Sequence, residues 1–315
     1  MAPACALSDT PGAQTLQPPL QIRERCAHGE GLMTTPPPDG SRDRRIEDPS
    51  NRWIIHAAAR RLLPFALRAG VSANAVSLSG LLLGTGAALA YARWQEPAFA
   101  LIGLLLSVGW LIADGLDGMV ARATRTASPL GRFLDGICDH GVFALIYLSL
   151  AASIGTSTAW ALAIGAAAAH AVQSSLYEGE RTRFHRRLKG LAEVEAAPPS
   201  DNPLVRLYDS VAGSIGRLAR PFERALAASP SPAQLGGAYA AAATPPMRLM
   251  IPLTANTRVW LVFLACLLGR PQLFWWAELV PLTLVTVAGL AWHRRVESRF
   301  AGASAPAGGR PSSYA

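Results

Sequence analysis

Long uncharged stretches alternate along this chain with short segments rich in arginine. Residues 74–92 and 97–113 carry no charged side chain, and the second stretch opens into an acidic, glycine-containing segment. Residues 141–177 again hold no formal charge, with His170 and two tyrosines the titratable side chains there. A run of that length exceeds the ~20 residues of one membrane span. Gly155 and the Thr-Ser-Thr that follows divide it into two helices joined by a tight turn. Residues 249–269 and 273–292 form two more apolar segments, the first interrupted by Arg258. Arg258 either snorkels at the end of a short span or faces a polar cavity. The pattern predicts an all-α integral membrane protein with a bundle of six transmembrane helices, the fifth being the least regular.

Arginine sets the orientation. Arg60, Arg61 and Arg68 precede the first span, and Arg122, Arg125 and Arg132 lie between the second and third. Arg181, Arg183, Arg186, Arg187 and Lys189 follow the fourth, and Arg294, Arg295 and Arg299 follow the sixth. The other connections carry Arg93, nothing and Arg270. The positive-inside rule places both termini and the 122–132 turn in the cytoplasm. Trp53, Ile54, Leu62, Leu63 and Phe65, interleaved with arginines, predict an amphipathic helix lying in the interface before the first span. Leu204, Tyr208, Val211, Ile215, Leu218 and Phe222 recur at helical spacing and predict a second one.

The resulting organisation is a disordered N-terminal tail over 1–50, the interfacial helix over 51–70 and spans one to four within 71–189. A cytoplasmic insertion follows over 190–246, then spans five and six within 247–296, and a disordered tail over 297–315. No basic segment precedes a short apolar core at the N-terminus, so no signal peptide is expected. Met1 and Met33 are both candidate starts.

Composition fits this reading. Half of the residues are hydrophobic, only 16% are charged, and the mean hydropathy is +0.23. A soluble domain usually carries about 25% charged residues, so a disordered chain is excluded and an ordinary soluble one is disfavoured. The net charge is +8, and Lys189 is the only lysine among 29 basic residues. That bias, with abundant alanine and glycine, suggests a bacterial origin and hence the inner membrane. The four cysteines form no CxxC pair or disulfide framework, and Cys138 and Cys266 read as small buried side chains.

The chemistry concentrates in one segment. Asp114, Asp117, Gly118, Ala121 and Arg122 are followed by Gly131, Asp135 and Asp139. Acids near a bilayer core are costly, and four at regular spacing require a reason. Asp114 and Asp117 are three apart and Asp135 and Asp139 four apart, so each pair shares a helix face. Ser128 and Pro129 read as an N-cap and first helical residue, and the preceding helix should end near Thr124. Asp117 and Asp135 then lie ~10 Å from the turn, and Asp114 and Asp139 lie at matching depths beyond them. A short connection makes the helices antiparallel neighbours, so all four acids can converge. Four close carboxylates cannot all stay ionised alone. An all-oxygen ligand set suits two divalent cations, Mg²⁺ or Mn²⁺, about 3.5–4 Å apart. Gly115, Gly118 and Gly131 leave room beside the cluster, and Arg122 offers a fork for a phosphate. The combination points to a diphosphate-containing substrate at a membrane surface. A salt-bridge network with Arg122 and Arg132 would explain two such acids, but not four in register.

These eight positions and their spacing resemble the signature of the CDP-alcohol phosphatidyltransferases. The resemblance covers roughly residues 50–185. It implies transfer of a substituted phosphate from a CDP-linked donor to an alcohol, with release of CMP. It implies that Asp114, Asp117 and Asp135 bind the metals and that Asp139 completes the second site. Asp139 would also be the general base, and Gly118, Ala121, Arg122 and Gly131 would line the CDP site. Asn74 and Ser77 are added to that site by weaker resemblance, because the family often has Pro-Asn where this chain has Ala73-Asn74. Related proteins are commonly dimers, so a homodimer is a further expectation.

Glu178 and Arg181 share a helix face at the end of the fourth span. They either contact a polar acceptor or form an interfacial ion pair. His170 is expected to be a buried hydrogen-bonding residue. CDP-diacylglycerol is the expected donor. The alternative is a CDP-amino alcohol with diacylglycerol as acceptor. The rival classes are a divalent-cation transporter using the aspartates and a non-catalytic scaffold.

Overall fold

A computed structural model describes residues 43–126, 129–193 and 220–303, with side chains for all of these except 129–139 and 303. The described residues are helical, with no strand. A short segment from residue 43 leads through a π-helical turn, Asn51–Ile55, into α1, His56–Arg68. The apolar stretches become α2, Ala73–Tyr91, and α3, Pro97–Thr124, followed by α4, Pro129–Ile154, and α5, Ser157–Leu188. Then come a helical stretch at 220–228, α6 over Pro232–Leu249 and α7 over Ala255–Leu267. The last helix is built from α8, Gln272–Ala277, a π-helical turn over Glu278–Leu282, and α9, Thr283–Ala303.

Local chemistry explains the boundaries. Ser72 caps α2, its hydroxyl accepting from the Ala75 amide at 3.2 Å, and so supplies one of the acceptors that a helix start lacks. Pro97 occupies the first turn of α3, where its missing N–H costs nothing. That helix ends where Arg125 turns left-handed at φ 57°. Thr156 caps α5 by accepting from the Ala159 amide at 3.2 Å.

The N-terminal half of the bundle is organised around α2, which packs against both α3 and α4. Gly84 makes this possible: a Cβ there would overlap the side chain of Val142 on α4. One core gathers Trp110, Phe143, Ile146, Tyr147, Phe274 and Trp275 between α3, α4 and α8. A second core, centred on Tyr177, Phe184, Phe222, Tyr239 and Met247, joins α5, α6 and α9.

Among the described residues, three helices are long and apolar enough to cross a membrane: Ala73–Tyr91, Pro97–Thr124 and Gln272–Gly302. His140–Ile154 and Ala255–Leu267 are shorter apolar helices. α5 has 32 residues, with charged side chains throughout its last third. Trp53, Leu62 and Phe65 in the segment before α2 are exposed.

Some boundaries differ from the sequence reading. Residues 43–50, expected within a disordered tail, carry Ile46 and Asp48 buried against the helical body. Asp48 accepts from Thr254 Oγ1 at 2.8 Å, and Ser50 Oγ accepts from Asn256 Nδ2 at 2.8 Å. The last helix continues past 297 to Ala303, with Glu297 buried. Within the 190–246 insertion, α6 is a packed helix whose Tyr239, Ala240 and Ala243 are fully buried. A run of glycine and alanine on either side of Tyr239 gave that face little hydropathy contrast. The repeat beginning at Leu204 lies largely outside the described residues.

Candidate active site

The α3 acids lie where the helix meets its neighbours. Asp117 is 6% exposed, and its Oδ2 accepts from Ser77 Oγ of α2 at 2.5 Å. Asp114, one turn earlier, is half-buried. Helical geometry puts the two acids about 60° apart on one face. Arg122 folds back along the helix, so that its Nη1 is 3.3 Å from where a Gly118 Cβ would stand. Gly118 therefore leaves the guanidinium a place to lie. Ala121 is half-buried beside it. Gly115 is covered by His56 and Ile55, which lead into α1. Asn74 lines a cavity of about 250 Å³ between the start of α2 and the end of α3, with Ser72, Thr124 and Thr126.

Gly131, Asp135 and Asp139 lie on α4, in the part whose side chains are outside the described residues. Their level follows from the nearest described contact. Trp110 of α3 and Phe143 of α4 meet edge to face with ring centroids 5.3 Å apart. Asp114 stands four residues after Trp110, and Asp139 four residues before Phe143. Each acid is thus one helical turn, about 6 Å, from the same contact and toward the connection between the two helices.

Residues 71–183 match the family model of the CDP-alcohol phosphatidyltransferases. Cholinephosphotransferase 1 of Gallus gallus is 34% identical over 117 residues. The match covers 34% of this chain and 32% of the relative, so the chain spans about a third of the length of that curated relative. The matched segment comprises α2 to α4 and most of α5. It leaves α6 to α9 unmatched.

The donor set of the matched segment suits a divalent ion. The acids offer only oxygen atoms as ligands, and the buried Asp117 carboxylate, held by the Ser77 hydroxyl, is of the kind a hard cation prefers. Among the described residues a second group has metal-like spacing: Glu180, His293 and Glu297, with ligand atoms within 4.8 Å of one another. Its charge is already balanced. Arg294 bridges Glu180 and Glu297, Arg187 pairs with Glu297 and with Glu223, and His293 Nδ1 is 2.7 Å from Glu180 Oε2. A dication would sit against these arginines, so the group reads as a buried ion-pair network. Burial alone would push the Glu180 carboxyl up, but His293, Arg294 and Arg183 outweigh it and hold the group well below the ordinary carboxylate range.

One residue after Asp139 on α4, His140 joins Ser174, Ser175, Glu178 and Thr182 of α5 around a polar cavity of about 400 Å³. Sequence reading picked out Glu178 but not the serines or His140. Their signal was the polar stripe Ser174, Ser175, Glu178, Thr182 at helical spacing. Glu178 and Arg181 bond to each other at 3.0 Å, both partly exposed, which is the ion-pair alternative. Arg181 turns away to a different, smaller cavity beside Asp43 and Asp48.

Arg258 neither snorkels nor faces a cavity. It is fully buried and bonds Glu278 Oε1 at 2.9 Å, Gln173 Oε1 at 2.9 Å and the Leu253 carbonyl. Tyr147 donates to the same Glu278 oxygen at 3.0 Å and lies 3.2 Å from His170 Nδ1. His170 is thus the buried hydrogen-bonding residue expected. Glu278 was missed, because a lone acid near the start of an apolar run weighs little in hydropathy.

Proposed function

We propose that this chain is a metal-dependent phosphotransferase of phospholipid synthesis. It moves a substituted phosphate from a CDP-linked donor onto an alcohol hydroxyl and releases CMP. The observation that carries the reading is the helix register around Trp110 and Phe143, which supports a common level for Asp114 and Asp139. The family match over residues 71–183 supports the same reaction class.

In this reading Asp114, Asp117, Asp135 and Asp139 would hold two Mg²⁺ or Mn²⁺ ions, which would supply charge stabilisation for the phosphate under transfer. Asp139 takes the proton of the acceptor hydroxyl, whose oxygen attacks the phosphorus of the substituted phosphate. The bond to the CMP oxygen breaks, and CMP departs as the monoester. Arg122 grips the diphosphate, Gly118 and Gly131 give it room, and Ala121 and Asn74 complete the CDP site. Ser77 fixes the rotamer of Asp117. Glu178 borders the acceptor cavity.

The six spans are α2, α3, α4, α5, α7 and the continuous α8–α9 helix, with α1 in the interface. Both termini face the cytoplasm of a bacterial cell, as the arginine asymmetry indicates. Of the two donors, CDP-diacylglycerol accords with bacterial composition. The relative's name, a cholinephosphotransferase, favours a CDP-amino alcohol with diacylglycerol as acceptor.

The test is CMP release by purified protein in Mg²⁺. One arm supplies CDP-diacylglycerol with polar alcohols, and the other supplies CDP-choline or CDP-ethanolamine with diacylglycerol. Release in one arm names the donor. Absence of release in both, with divalent-cation flux in proteoliposomes, would replace the enzyme by a transporter.

A further inference from the structure

A groove of about 500 Å³ runs along the last helix, away from the aspartates. One wall is a single face of α9 carrying Ala288, Ala291, Trp292, Arg295 and Arg299, and Leu249 at the end of α6 forms the other. The walls meet at Gly289, where a Cβ would overlap Met250. That contact brings α6 close and leaves the groove beside it. Its volume lies within the range of small-ligand sites.

The face is graded along its length. Ala288 and Ala291 are small and apolar, Trp292 follows, and the arginines come last, Arg299 about 16 Å from Ala288 along the axis. All five side chains fall within about 100° of one another around the helix. Alanine beside a groove leaves space that a longer side chain would fill. Tryptophan belongs at the level of lipid head groups.

The two arginines differ from their neighbours. Arg183, Arg186, Arg187, Arg258 and Arg294 are all paired with glutamates. Among the described residues neither Arg295 nor Arg299 is paired with a carboxylate, and both are exposed. Glu297 lies on the far side of α9 and is bound to Arg187 and Arg294. The groove therefore has an apolar end, an interfacial aromatic and an uncompensated cationic end in the order in which a phospholipid presents acyl chain, glycerol and phosphate.

We propose that this groove holds an anionic glycerophospholipid, its phosphate between Arg295 and Arg299 and an acyl chain against Ala288 and Ala291. The inference rests on Gln272–Gly302 crossing the membrane, and on nothing in the catalytic reading.

Native mass spectrometry of the detergent-purified protein tests it with dioleoyl-phosphatidylglycerol and dioleoyl-phosphatidylcholine as probes. Each arginine should be worth about fivefold in affinity for the anionic lipid, about 25-fold together. The wild type should favour phosphatidylglycerol, and R295Q/R299Q should lose that preference while keeping its phosphatidylcholine adducts. R295K/R299K should retain most of it. A288L/A291L, which fills the groove with both charges intact, should lower phosphatidylglycerol binding as well. No preference in the wild type, or an undiminished one in R295Q/R299Q, overturns the site. Undiminished binding in A288L/A291L overturns the lipid and leaves a simple anion patch. Because α9 carries none of the aspartates, these outcomes are separable from success or failure of the CMP-release test.

Discussion

A hydroxyl from a neighbouring helix holds Asp117 in place. Ser77 was read from the sequence as adding hydrogen bonds to the substrate diphosphate, and in the structure its hydroxyl donates to the Asp117 carboxylate. The distinction has a measurable consequence, because outer-shell partners of ligands are typically worth 10–100-fold in metal affinity or activity. S77A should raise the Mg²⁺ concentration for half-maximal CMP release by about that factor, with recovery at saturating metal. A substrate contact would change the donor KM and leave the metal dependence alone. D139N removes the proton acceptor and should lower kcat by about 10²–10⁴-fold without unfolding the protein. These aspartates were legible because acids in an apolar context have few structural uses. Ser77 was legible only by resemblance, since a small hydroxyl residue in a membrane helix usually packs or bonds its own backbone, as it also does here toward Ala73.

At the level of elements, the helices from α2 to α5 start and stop close to where capping and glycine signals put them. Thr124 ends α3, Pro129 opens α4, and the Gly155 turn divides α4 from α5. The fifth span was harder, and Arg258 shows why. Its partner Glu278 is twenty residues away on another helix, and Gln173 is on a third. Hydropathy registers each charge as a penalty, whereas the fold brings them together and cancels the net charge. Removing one member leaves the other buried and unpaired, at a cost of about 3–5 kcal/mol. E278Q should therefore lower the detergent melting temperature markedly. Replacing both members, in R258M/E278L, should recover much of the loss. Equal melting temperatures for the wild type and E278Q would mean that the pair contributes little to holding α7 and α8 on α5.

On the scale of the whole molecule, two polar networks fasten α6 to α9 onto the matched segment: one around Glu278, the other around Glu180. The second ties α5 to α9 through His293 and Arg294. A carboxylate held below its ordinary range stabilises the fold above its unfolded pKa, and that stabilisation disappears as pH falls through its folded one. The melting-temperature gap between the wild type and E180Q should thus be full at neutral pH and shrink in strong acid. A gap that is constant with pH would contradict the assignment. This attachment was beyond the sequence, because Glu180, Tyr239 and Glu297 read separately as surface polars. Nor did hydropathy reveal the packed face of α6. At this scale the short connection and the matching positions of the acids predict that α3 pairs with α4; in the structure both pack on α2, and Trp110 and Phe143 supply a direct side-chain contact between them. That pairing is the central claim, and Mn²⁺ electron paramagnetic resonance tests it most directly. The account expects two bound Mn²⁺ ions per chain with an exchange-coupled signal, reduced to one uncoupled ion or none in D135N. A single isolated Mn²⁺ in the wild type, or coupling unaffected by D135N, would contradict it.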